Sequence, residues 1–116
     1  MKKVIMDASP LIFISKADLL GVFKKMYEKV YMTPSIFSEI EWPLKHGIKA
    51  PEVRNIKNSN IVKIEELSAK EIMQAKKLAS EHSIGKGEAE AAVLFQRGGY
   101  ENVIVADVRA HRKLKE

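Results

Sequence analysis

The sequence predicts an α/β domain built on a parallel sheet, and three observations predict it. Short apolar runs alternate with longer segments of helical period. Two of those runs, Lys3 to Met6 and Val103 to Ala106, each end in an aspartate. Helix-start signals, a hydroxyl residue followed by proline, stand just beyond two of the runs.

Lys3 to Met6 reads as a strand ending at Asp7, and Ser9 with Pro10 then reads as an N-cap and first helical position for a short helix over Leu11 to Ser15. Asp18 is placed to cap a second helix carrying Leu19, Leu20, Val22, Phe23 and Met26, and Lys29 to Met32 reads as the next strand. Thr33 and Pro34 open a helix through Ile36, Phe37, Glu39 and Ile40 that is expected to lose definition around Trp42 and Pro43. Lys45 to Asn60 lacks a clear period and is read as loop with some helix.

Ile61 to Ile64 reads as an edge strand. Ser68 with Glu71 three residues on forms a capping box for a helix through Met73 and Leu78. Gly85 and Gly87 interrupt it; a further helix from about Glu88 to Phe95 is apolar on nearly every side, is expected to be buried, and stops at Gly98 and Gly99. Val103 to Ala106 follows, and then a basic helix to the end. Strands alternating with helices imply βαβ units.

The 116 residues are expected to form one domain, 1–116, with 46% hydrophobic and 30% charged residues, a globular balance that excludes disordered and fibrous classes. With no cysteine, disulfides, thiolate zinc sites and cysteine nucleophiles are excluded. The run after Lys2 and Lys3 is too short for a signal peptide or a membrane span, so a cytoplasmic protein is expected. A net charge of +5 favours a polyanionic partner.

Asp7 and Asp107, each at a strand end, are expected on the carboxyl edge of the sheet, where open α/β folds bind ligands. Singly, either would more often be an Asx turn or a cap; together they favour a shared site. Glu39, in a helix that follows a strand, and Glu88 or Glu90, opening the buried helix, extend the acidic set. Residues 88 and 90 point to different sides of a helix, so one at most faces an ion directly. Converging carboxylates repel unless protonated or bridged by a cation, and oxygen donors suit Mg²⁺ or Mn²⁺. Arg109, Arg112 and Lys113 are placed to hold a phosphate backbone, with a basic last turn as the equal alternative. His46, His82 and His111 share no motif spacing.

The stretches Asp7 to Ile12, Pro34 to Ile40, Gly87 to Phe95 (GEAEAAVLF) and VIVAD ending at Asp107, in that order, resemble the motifs of PIN-domain ribonucleases, the family of the VapC toxins. The resemblance implies a three-layer sandwich with a central parallel sheet of about four strands flanked by helices. It also implies a Mg²⁺- or Mn²⁺-dependent endoribonuclease with Asp7, Glu39, Glu88 and Asp107 as the acidic quartet, of which Asp7, Glu88 and Asp107 hold the metal. Ser9 would steady Asp7. Further implications are a single-stranded or structured RNA substrate, a small antitoxin partner and a homodimer. Glu90 is a rival to Glu88, Val105 and Ala106 stand where a threonine often precedes the fourth acid, and the chain is expected to be short at its C-terminus relative to the family. The alternative is a PIN-like module that binds RNA or protein without cutting. A phosphoacceptor receiver fits poorly, because Asp7 is followed by Ala8 and Ser9.

Overall fold

The computed structural model describes residues 3–105. Four strands, β1 (Lys3–Met6), β2 (Lys29–Met32), β3 (Val62–Ile64) and β4 (Asn102–Ile104), form one parallel sheet in the order β3-β2-β1-β4. The last three residues of β1 and of β2 are all buried, as expected of central strands covered on both faces. The edge strand β3 leaves Lys63 and Ile64 exposed.

Six helices make the connections: α1 (Ala8–Lys16), α2 (Leu20–Met26), α3 (Pro34–Lys45), α4 (Pro51–Ser59), α5 (Ala69–His82) and α6 (Lys86–Arg97). From β1 the chain steps to β2 and β3 on one side, then returns to lay β4 on the other. With right-handed crossovers, that reversal puts α5 and α6 on the face opposite α1 to α4. Accordingly α1 packs on α3 and α4, while α5 packs on α6, and α6 packs on β1 and β4. The core joins Ile5, Met6, Leu11, Met32, Ile36, Ile40, Ile56 and Leu94. The reversal lies between β1 and β4, whose carboxyl ends mark the position at which open parallel sheets bind ligands.

Several boundaries differ from the sequence reading. Asp7, rather than Ser9, caps α1: its Oδ1 accepts from Ala8 N at 2.8 Å, so the helix begins at Ala8 rather than Pro10. Asp18 caps nothing and takes a left-handed conformation at φ 59°, and α2 starts after Leu19 without a side-chain cap. Helix α3 runs through Pro43 to Lys45. Pro43 cannot donate to the carbonyl four residues back, but the final turn still closes through His46 N on Trp42 O at 3.2 Å, with the two rings stacked at 4.1 Å. Trp42 is exposed.

The segment read as loop with some helix holds α4, begun by Pro51 and anchored by buried Val53 and Ile56. The capping box of Ser68 and Glu71 forms as expected, with bonds of 2.9 and 3.2 Å. Helix α6 starts at Lys86, two residues before the expected Glu88, and buries most of its residues, although Phe95 is 39% exposed. Strand β4 ends at Ile104; Asp107, Arg109, Arg112, Lys113, His111 and the expected last helix lie outside the described residues. Among the described residues, no helix is long and apolar enough to cross a membrane.

Candidate active site

Asp7 is fixed by the two elements it joins. Its backbone N–H extends the sheet by donating to Ile104 O at 3.0 Å, and its carboxylate caps α1, leaving the residue only 6% exposed. Burial pushes the carboxyl above its ordinary range; the Ala8 hydrogen bond opposes this, and the charge of Glu88 adds to it. The bond that steadies Asp7 comes from the Ala8 amide; among the described residues the exposed Ser9 makes no hydrogen bond to it.

Glu39 lies in the second turn of α3, on the exposed side. Partial desolvation raises its carboxyl, followed by repulsion from Asp7, Glu88 and Glu90, with Lys86 pulling the other way. Because the residue stays largely in contact with water, screening weakens each of these effects.

The two acids meet at Gly87, the second residue of α6. A Cβ there would lie 2.9 Å from Asp7 Oδ1, 3.6 Å from Glu39 Oε1 and 3.5 Å from Ile36 Cγ1. A Cβ would crowd the hydrogen-bonded Asp7 oxygen while making ordinary contact with Glu39, so glycine is what lets the α6 backbone come this close to Asp7, and the first-turn N–H groups of a helix favour negative charge near them.

Glu88 and Glu90 take different parts. The half-exposed Glu88 carboxylate folds back against Gly85, the N-cap of its own helix, from where its charge reaches Asp7 and Glu39. Glu90, 5% exposed, accepts a 2.5 Å hydrogen bond from Thr33 Oγ1. Thr33 is also the N-cap of α3, with Ile36 N donating to the same oxygen at 3.4 Å. This Thr33–Glu90 contact ties α3 to α6 at the N-terminal end of α3, ahead of Glu39.

Asp7, Glu39, Glu88 and Glu90 thus share one corner of the sheet, with Lys86 beside them. None of the four acids forms a salt bridge among the described residues. The oxygen donors of Asp7 and Glu39, facing the space a Cβ would fill, suit a hard divalent cation. As the side chains stand, no three of Asp, Glu or His among the described residues are close enough to hold one ion, and Glu88 would have to swing from Gly85 to join. The sequence reading missed Thr33 as a partner for Glu90 and Gly87 as the point of approach. The signal for Gly87 was a glycine inside a helix's first turn, directly before the acids.

A family model described as PIN domain matches residues 3–116. Among solved structures, the fold is similar to VapC20, the sarcin-ricin loop cleaving toxin of Mycobacterium tuberculosis, with TM-score 0.69 and 15% identity over 94% of this chain and 93% of that one. It is also similar to PAE2754 from Pyrobaculum aerophilum, with TM-score 0.67 and 15% identity over 97% and 86%. A comparison with curated proteins gives no match.

Proposed function

Because the chain belongs to the PIN-domain family, we propose that it is a divalent-metal-dependent endoribonuclease, with Asp7, Glu39, Glu88 and Asp107 as its acidic quartet. The observation that carries this reading is the convergence of Asp7 and Glu39 on Gly87, with neither acid in a salt bridge among the described residues. Asp7, Glu88 and Asp107 would hold Mg²⁺ or Mn²⁺. Such an ion supplies an activated water and neutralises charge developing on the phosphoryl group. Glu39, more exposed and titrating above the usual carboxylate range, accepts a proton from the attacking water. The Ala8 amide holds one oxygen of Asp7 in place. Arg109, Arg112 and Lys113 would grip the RNA backbone. A role as the toxin of a toxin–antitoxin pair, with a small antitoxin, a homodimeric state and a cytoplasmic location, is carried over from the family resemblance.

One observation favours a second reading, a PIN-like module that binds RNA or protein without cutting: Glu88 rests against Gly85 rather than beside Asp7. The two are separated by Mn²⁺-dependent cleavage of a pool of short single-stranded RNAs. On the nuclease reading, cleavage is lost in EDTA and in Asp7→Asn and Asp107→Asn. If the wild-type chain binds Mn²⁺ by calorimetry but cuts nothing, the silent module is the better account.

A further inference from the structure

A groove of about 470 Å³ runs beside the acids, between α5 and the first turns of α3 and α6. Its volume is in the range of ligand sites, roughly 300–1,000 Å³. Ile72, Ala75 and Ala79 of α5 form an apolar side, and two lysines, Lys76 of α5 and Lys86 of α6, line it as well. Lys86 adjoins Gly87, and its charge acts on Glu39, so the groove opens directly onto the acidic corner. Both lysines are exposed, and neither takes part in a salt bridge among the described residues, whereas the adjacent Lys77 is paired with Glu81 and Arg97 with Glu65 and Glu71. Glu90 also lines the groove, but its carboxylate is tied inward to Thr33.

We propose that this groove is the path of a single RNA strand leaving the acidic corner, with Lys86 and Lys76 holding its phosphates and the apolar side of α5 packing against a ribose or base. The inference rests on the nuclease reading for the identity of the polyanion. Charge decides the occupant: unpaired cations next to an acidic corner favour a chain whose charged groups repeat, with one phosphate at the acids and others at the lysines. The apolar side suits the uncharged parts of a nucleotide better than bulk water does.

The test is fluorescence anisotropy of a labelled single-stranded RNA 12-mer bound to the Asp7→Asn chain, titrated across salt concentrations, so that binding is read without cleavage. Adding Lys76→Ala or Lys86→Ala should weaken binding roughly three- to tenfold. Each should lower the slope of log K against log salt by about 0.7, the value for one phosphate contact on a single strand. Lys16→Ala, at the end of α1, should leave both quantities unchanged, and thermal unfolding of every variant checks that it is folded. If the groove variants bind like the Lys16 control, or the Asp7→Asn chain binds no RNA, the groove assignment is overturned. Cleavage by the wild type would then leave the nuclease reading standing. Lysine-dependent binding without wild-type cleavage would sustain the groove and overturn the nuclease.

Discussion

Glu71 and Glu39 are the same residue type on helices that cover opposite faces of the sheet, and their surroundings contrast. Glu71 accepts from Arg97 at 2.8 and 3.1 Å and from the Ser68 amide at 2.9 Å, which hold its carboxyl down at about 2. Glu39 is raised, first by partial burial and then by its acidic neighbours. An acid that serves the fold is supplied with its cation by the chain itself. The corner of Asp7 and Glu39 concentrates negative charge with no salt bridge to either acid among the described residues, at a stability cost that a structural role would not explain.

The contrast is broken most severely by activity. Glu39→Gln is expected to lower Mn²⁺-dependent RNA cleavage by at least ~100-fold, whereas Glu71→Gln should leave the rate within a factor of about two; equal losses in single-turnover assays would erase the distinction. Next in size is Thr33→Val, which strands the buried Glu90 carboxylate and should cost about 2–3 kcal/mol in urea unfolding. Thr33→Ser keeps the hydroxyl and should cost under about 1 kcal/mol; a serine variant as unstable as the valine one would show that the methyl, not the bond, matters.

Glu71→Gln removes a half-exposed ion pair but leaves a glutamine able to complete the capping box, and is expected to cost under about 1 kcal/mol. Its pH dependence has a definite sign. Glu71 is depressed, so its contribution is present above about 4.5 and is lost as pH falls toward 2. The smallest effect runs the other way. Asp7 and Glu39 are raised from 3.8 and 4.5, so their contribution is present below those values and lost as pH rises through the higher folded-state values. Without metal, Asp7→Asn should therefore be more stable than wild type at pH 7, because asparagine still caps α1, and the gain should fade as pH falls toward 4. Thermal melts showing a loss at pH 7 would mean that Asp7 is held by its cap more than it is penalised by burial.

Much of the sheet was legible because parallel central strands are continuous apolar runs, as in Lys3–Met6 and Lys29–Met32. The Ser68 box and the Thr33 cap were legible because their bonds are local. Helix α4 was not, since only Val53 and Ile56 of its nine residues are buried and the rest is polar. Pro43 misled because a proline near a helix end removes one bond without preventing the last turn. At the site, Asp7 and Glu39 could be singled out from their places after strands. The split between Glu88 and Glu90 could not, because it depends on Thr33, 57 residues from Glu90, and on a rotamer folded over Gly85.

Strand β4 is the last of the four described strands in chain order and lies beside the first of them, with Asp7 N donating to Ile104 O across most of the described residues. During synthesis β1 can pair with β2 as soon as residue 32 has emerged, but its other edge stays open until residues 102–104 leave the ribosome. Pairings this distant in sequence close late in folding. On the nuclease reading, the acidic corner therefore gains its final wall only when translation of this region is over, so a nascent chain still threaded through the ribosome carries an unfinished cutting edge past the RNA around it.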